Sequence, residues 1–258
     1  LLMERTDSCS LGCMLYWHKD ADRMECKMCN KPRYCRTKKG NNVPLSTMFY
    51  FPLKPRLKWL YASIRTTPFM CCNKEHHHDP LDVMFHPCDS FEWKNFDLNH
   101  PSFAQESRNV RLGLCTDGFQ PFGQFGKQYS CWSVFITPYN LPPHMCMKEE
   151  YTFISLIVPG EGNPKGRIDV YLQPLIAELQ ELWEMGVPTY DVSQKRNFTM
   201  KSALMWTIGD FPAYGLMSGW GTSGKTACPV CMDDTVAIRL THGGKQSWFD
   251  AHRRFLPL

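Results

Sequence analysis

The sequence has no apolar run approaching the roughly 20 residues that a membrane-spanning helix requires; the stretch at 153–158 (FISLIV) falls far short. A helical membrane protein is excluded on that ground. No basic segment followed by an apolar stretch opens the chain, so secretion has no support. No internal repeat runs along it, which sets aside solenoids and propellers. Between Lys31 and Arg65 there is no acidic residue, and after Glu184 there is no Glu. The first gap leaves a cationic stretch without countercharge. The second restricts any late carboxylate site to aspartate.

What is present argues for a folded protein with metal-binding parts. The chain has 258 residues, 43% hydrophobic and 13% aromatic, enough for one large or two small cores without covalent staples. Its 13 cysteines are an odd number, so a complete disulfide framework would leave one over. Pairs spaced C-x-x-C in a chain with no secretion signal read as reduced metal ligands. The net charge of +4 is unevenly spread: residues 1–80 hold 14 Lys/Arg against 7 Asp/Glu, and residues 81–258 hold 15 against 18. That asymmetry points to an anionic partner for the N-terminal part. Both ends of the sequence, Leu1 and the final FLPL, read as cut from something longer.

Three segments follow from the pattern. Residues 1–36 are short, polar and Cys-rich. Residues 37–109 have many turn formers and little apolar periodicity, and are expected to be an irregular, poorly packed connector. From Val110 the character changes. Residues 110–116, 130–137 and 151–158 are β-branched and aromatic, bounded by turn residues, and predict strands. Leu172, Leu175, Ile176, Leu179, Leu182 and Trp183 recur at spacings of three and four, which predicts a helix with Pro174 in its first turn and Gly186 as its stop. Residues 202–208 (SALMWTI) predict a further strand. The order is three strands, a helix and a strand.

Cys9-x3-Cys13 and Cys26-x2-Cys29 form two close pairs. Structural zinc takes four tetrahedral N or S ligands, and two short knuckles supply them; the competing reading is unligated cysteines that happen to cluster. His18 and Cys35 are spare candidates expected on the knuckle surface. A second C-x-x-C, Cys228 and Cys231, has His242 and His252 as candidate completing ligands. A redox pair and plain surface histidines compete with that reading. Cys115 and Cys131 lie in apolar strands as small buried hydrophobes. His76–His78 reads as a solvated loop before a metal site.

The nine Lys/Arg from Lys31 to Arg65 are interleaved with Tyr34, Phe49, Tyr50, Phe51, Trp59 and Tyr61. Cations for phosphates and aromatic faces for exposed bases suit nucleic acid, with Lys54, Arg56 and Lys58 as the contacts singled out. Two carboxylates follow apolar strands: Asp117 after 110–116 and Asp210 after 202–208. Converging carboxylates are what a pair of divalent ions needs for phosphoryl transfer, although Asp before Gly or Phe-Pro is also ordinary turn chemistry.

The segments 112–122 (LGLCTDGFQPF), 131–143 (CWSVFITPYNLPP), 169–183 (DVYLQPLIAELQELW), 209–220 (GDFPAYGLMSGW), 227–232 (ACPVCM) and 252–257 (HRRFLP) closely resemble the transposases of plant CACTA (En/Spm) elements. So do 51–60 (FPLKPRLKWL), 86–96 and the Cys9–Cys29 knuckle, in the family's order. The resemblance implies an α/β protein with a ribonuclease-H-like core (β-β-β-α-β) of the D-D-E/D kind, incomplete at its C-terminus and preceded by a small zinc ribbon and a basic connector. The core would span 110–258, with a Cys/His insertion from about residue 211. Asp117 and Asp210 would be the first two catalytic acids, binding Mg²⁺ or Mn²⁺, with Zn²⁺ structural. DNA at the element's ends and target would be the substrate, a second element-encoded DNA-binding protein a further partner, and the nucleus the compartment. The later acids are Asp233, Asp234 and Asp250, and none sits where the third is expected. The expectation is therefore a fragment that is not active alone, or else a catalytically dead zinc-containing DNA-binding or protein-interaction module. The sequence departs from the family at 70–79 (MCCNKEHHHD) and at Cys88, where alanine is expected.

Overall fold

In the computed structural model, which describes residues 2–76, 83–122, 129–160, 167–221, 228, 231–234 and 238–247, the apolar run from Val110 forms the longest strand of a six-stranded mixed sheet. In chain order the elements are β1 (Glu4–Asp7), β2 (Tyr34–Arg36), β3 (Asn42–Pro44), β4 (Thr47–Tyr50), α1 (Lys54–Ala62), α2 (Cys72–Glu75), α3 (Phe91–Asn99) and α4 (Pro101–Ala104). There follow β5 (Val110–Phe119), β6 (Ser130–Pro138), α5 (Pro143–Cys146), β7 (Phe153–Gly160), α6 (Ile168–Glu184), β8 (Val187–Asp191), β9 (Arg196–Met200), β10 (Ser202–Ile208) and α7 (Phe211–Ser218). Two short strands, β11 (Ile238–Arg239) and β12 (Gln246–Ser247), pair with each other.

The sheet order is β1-β4-β7-β6-β5-β10. β5, β6 and β7 form an antiparallel meander, and α6 then carries the chain to β10, which pairs with β5 in parallel. The protein is thus mixed α/β around one mixed sheet, with the expected order of three strands, a helix and a strand. Val110, Leu112 and Leu114 of β5 and Val134 and Ile136 of β6 alternate into the core, where Leu156 of β7 and Leu172, Leu175 and Leu182 of α6 meet them.

Several elements differ from the sequence expectation. α6 begins at Ile168, so Pro174 lies inside the helix instead of in its first turn. Burial of Ile168 and Tyr171 on the core-facing side accounts for the earlier start. The polar hairpin β8–β9 was not visible as a strand pair. The largest difference is in 37–109. β4 pairs with β7, and α1 buries Leu57, Leu60 and Tyr61 completely. β4 is only four residues long and α1 is interrupted by charge, so neither carries a long periodic signal.

A buried carboxylate fixes α1. Glu178, on the core face of α6, accepts hydrogen bonds from the backbone N–H of Leu53 (2.7 Å) and Lys54 (2.8 Å) and from the Tyr50 hydroxyl. The first turn of a helix has N–H groups without intrahelical partners and a positive dipole end; no side chain of α1's own segment caps it, and Glu178 does so from 124 residues away. Burial, then the neighbouring Glu178, hold the Tyr50 phenol far above its ordinary range. Asn140 forms a comparable knot: its Oδ1 accepts from Arg111 N, and its Nδ2 donates to the carbonyls of Met70, Ser107 and Asn109.

Arg108 joins the loop before β5 to the β8–β9 hairpin. Its guanidinium lies over the Phe198 ring (3.9 Å to the centroid) and binds Glu106 at 2.5 Å and Asp191 at 3.2 Å. The hydrogen bond from Arg108 holds Glu106 below the ordinary carboxylate range. Burial pushes Asp191 up, but hydrogen bonds from Ser193, Gln194 and Arg108 more than offset it and leave it lowered. A depressed carboxyl stabilises the fold above its unfolded pKa and loses that contribution as pH falls through its folded value. Arg108→Ala is therefore expected to cost about 3 kcal/mol at neutral pH, and this deficit should shrink once the pH drops below about 4. Urea unfolding of both proteins across that range checks it; a deficit that does not change with pH would refute the account.

Candidate functional site

The first knuckle is built by two tight turns. Cys9 Sγ accepts from the N–H of Leu11 and Cys26 Sγ from that of Met28, each at 3.4 Å. Gly12 (φ +69°) and Asn30 (φ +55°) take the left-handed conformation beside the second cysteine of each pair. The four sulfurs of Cys9, Cys13, Cys26 and Cys29 gather within 4.8 Å of one another, with Cys9 and Cys29 3.5 Å apart. A tetrahedron with metal–sulfur bonds of about 2.3 Å has edges of about 3.8 Å, so the cluster can hold one metal ion. Burial, with hydrogen bonds from Cys29 and Cys9, pushes the Cys13 thiol up to about 12; crowded thiols resist ionising until a cation joins them. Cys35 is exposed and His18 lies against the Trp17 ring, and neither joins the cluster.

This knuckle is attached to the core. β1 pairs with β4 along the sheet edge. Arg167, just before α6, donates to the Leu11 carbonyl and to Cys13 Sγ, and the Tyr171 ring packs close to Gly12.

The second cysteine pair forms a similar turn, with Cys231 N donating to Cys228 Sγ at 3.3 Å. His242 is exposed between β11 and β12. Among the described residues Cys228, Cys231 and His242 do not form a three-ligand cluster; His252 lies outside the described residues.

The two aspartates come to one end of neighbouring strands. In the parallel β5–β10 pair the last partners are Cys115 and Ile208, and Asp117 and Asp210 each follow by two residues. Both are exposed. Asp117 Oδ1 accepts from Gly118 N at 2.7 Å, and Asp210 Oδ1 caps α7 by accepting from Ala213 N at 2.8 Å. Asp117 lies within β5, opposite Ser133, and not in the turn expected after residue 116, while Asp210 is a helix cap; both bonds orient the carboxylates. Two glycines of this strand leave room for large rings. A Cβ on Gly118 would lie 2.6 Å from the Trp132 ring, and one on Gly113 would overlap Tyr139. Asp233 and Asp234 sit in a short turn beside Cys231, and Asp250 lies outside the described residues. No cluster of three metal ligands among the described residues includes Asp117 or Asp210.

The three basic residues singled out in α1 have different surroundings. Lys54 pairs with Glu181 at 2.5 Å. Arg56 lies between the Phe51 and Phe153 rings and donates to the Ile154 carbonyl; burial lowers its pKa. Lys58 and its neighbour Trp59 are exposed.

A family model described as transposase family tnp2 matches residues 82–258. The chain belongs to that family. The match covers the whole β5–β10 core and both aspartates, and leaves the first knuckle and α1 outside it. No curated protein matches the chain. Among the described residues, no helix is long and apolar enough to cross a membrane.

Loading of the knuckle is directly measurable. Full-length protein with Cys26→Ser is expected to carry one zinc fewer than the wild type, since three thiolates hold a structural ion far more weakly than four. Chelator treatment of the wild type should lower its melting temperature, because β1 and Arg167 couple the knuckle to the core. Zinc content unaffected by Cys26→Ser would exclude the site.

Proposed function

We propose that this chain is part of a CACTA-type DNA transposase whose ribonuclease-H-like core cleaves and joins DNA strands in the nucleus. The observation that carries the reading is the placement of Asp117 and Asp210 at the same end of two adjacent parallel strands. The strand order β7-β6-β5-β10, with a helix crossing before the last strand, supports the fold assignment, and the tnp2 match supports the reaction class. Hard, exposed carboxylate oxygens suit Mg²⁺ or Mn²⁺, so the residues present fit a divalent ion. When bound, such an ion supplies Lewis-acid stabilisation of charge at a phosphodiester. Asp117 and Asp210 would be its ligands, aimed by the Gly118 and Ala213 N–H groups. The first knuckle would hold structural zinc.

A two-carboxylate site is weak for a strongly hydrated ion. Residues 1–258 are therefore expected to bind Mn²⁺ weakly and not to transfer strands. The reading as a catalytically dead module that binds DNA or protein is favoured by one observation, that no third ligand joins the pair among the described residues. Mn²⁺ titration followed by proton relaxation separates the cases: Asp117→Asn and Asp210→Asn should each abolish most of the binding. Unchanged binding in both variants would sink the catalytic pair, and strong Mg²⁺-dependent cleavage by this chain would sink its incompleteness.

DNA contact through α1 is expected to rest on Lys58 and Trp59, because Lys54 and Arg56 are engaged within the fold. Lys58→Glu should weaken binding to all DNA sequences alike and flatten its dependence on salt, since one neutralised phosphate fewer releases counterions. Arg56→Glu should instead lower the melting temperature. Fluorescence anisotropy across a salt series tests this; a Lys58→Glu curve superimposing on the wild type would remove α1 from the interface.

A further inference from the structure

Three side chains outside both knuckles and outside the carboxylate pair come together between α2 and α3. His76 directly follows α2, and Cys88 and Asp89 lie in the single turn that precedes α3. The ligand atoms of all three fall within 4.8 Å of one another. His76 Nε2 is 2.9 and 3.0 Å from the two oxygens of Asp89. The group is withdrawn from solvent: Cys88 is 3% exposed, and the side chains of Asp89 and His76 are 6% and 15% exposed. His77 and His78 lie outside the described residues.

We propose that His76, Cys88 and Asp89 form a separate zinc site. Imidazole nitrogen, thiolate sulfur and carboxylate oxygen are the three donor types that Zn²⁺ accepts, and a thiolate in the set disfavours Mg²⁺ and Ca²⁺. Three protein ligands leave a fourth tetrahedral position for water.

The supporting shell is already in place. Asp89 Oδ2 accepts from the N–H groups of Phe85 (2.9 Å) and His86 (2.8 Å). His86 is held at both ring nitrogens: Nδ1 accepts from Cys88 N at 3.0 Å, and Nε2 donates to the Leu141 carbonyl at 3.1 Å. These bonds fix the turn that carries two of the ligands, as outer-shell hydrogen bonds do in metal sites. His86 is thereby committed to positioning, while the His76 ring packs 5.5 Å from it and faces Asp89. Burial, then Asp89 and Cys72, push the Cys88 thiol up to about 12.

Binding has a simple balance. The Cys88 thiol gives one proton to solvent, and the His76–Asp89 hydrogen bond is exchanged for two bonds to the ion. His76 Nε2 gives up the proton it shares with Asp89: a neutral ring shifts it to Nδ1, and a doubly protonated ring releases it to solvent. The result is a tether. His76 precedes the region matched by the tnp2 family, and Cys88 and Asp89 lie within it. In α3, which follows that turn, Trp93 lies beside Trp206 of β10 at 6.2 Å, so the tether anchors the packing behind one of the two strands that present the aspartates.

The inference depends on neither the transposition chemistry nor the four-cysteine knuckle, because its test is a difference between two proteins. Full-length chain is brought to equilibrium with excess zinc by dialysis, and bound metal per chain is measured by elemental analysis. His76→Ala and Cys88→Ser should each bind one zinc fewer than the wild type, whatever the other sites hold. Cobalt substitution should show thiolate-to-metal absorption reduced by the share of one thiolate in Cys88→Ser. Because Cys88 is buried and its substitution can disturb packing, His76→Ala, at a partly exposed ring, is the deciding variant. Equal metal content in wild type and His76→Ala overturns the site, whatever Cys88→Ser does. A loss of one zinc in His76→Ala with an unchanged melting curve in chelator establishes it.

Discussion

A single buried carboxylate, Glu178, holds two parts of the chain that are far apart in sequence. It sits among Leu175, Leu182 and the core strands on the inner face of α6, where an unpaired charge would cost several kcal/mol. Three donors surround it, the Tyr50 hydroxyl at the end of β4, the N–H of Leu53 just before α1 and that of Lys54, the first residue of α1. The constraint works in both directions. The carboxylate needs those donors to be buried, and α1 has no cap of its own, so β4, α1 and α6 are positioned together or not at all. Lys54, the next residue along, reaches Glu181 one turn further on α6, which adds a surface tie to the buried one.

The long motifs of the core divide into residues that aim and residues that hold. In LGLCTDG, Asp117 is the candidate ligand, but Gly113 and Gly118 are there because the rings of Tyr139, just after β6, and Trp132, within it, lie against the backbone. In the YNLPP that follows β6, Asn140 ties three carbonyls and one N–H. Such motifs are specific because several packing demands fall on consecutive residues. Chemistry accounts for only one or two positions in each.

The core was legible where burial imposes a period. β5, β6, β7, α6 and β10 each bury a face long enough to stamp alternation or a three-four spacing on the sequence, and the two aspartates were found because they follow such apolar runs. β4 escaped because four residues are too few for the period to show, and α1 because its nine are interrupted by Lys and Arg. Lys54 and Arg56 looked like free cations because no local pattern reveals a Glu181 or an Ile154 carbonyl about a hundred residues away. His76, Cys88 and Asp89 were hidden for the same reason. A lone His76 and an adjacent Cys88–Asp89 pair on another turn form no recognisable ligand spacing.

The pairing of β1 with β4 gives the first knuckle a role beyond its own small fold. β4 carries Met48, Phe49 and Tyr50, and its outer edge would otherwise offer a row of open N–H and C=O groups next to apolar side chains, a surface on which other chains can add as strands. β1 covers that edge with Glu4, Arg5, Thr6 and Asp7, a strand charged enough to discourage further addition. Its ladder ends two residues before Cys9. A metal held by the four thiols would latch the sheet's guard strand in place, so that losing it would uncover the edge of β4 before it touched the aspartates.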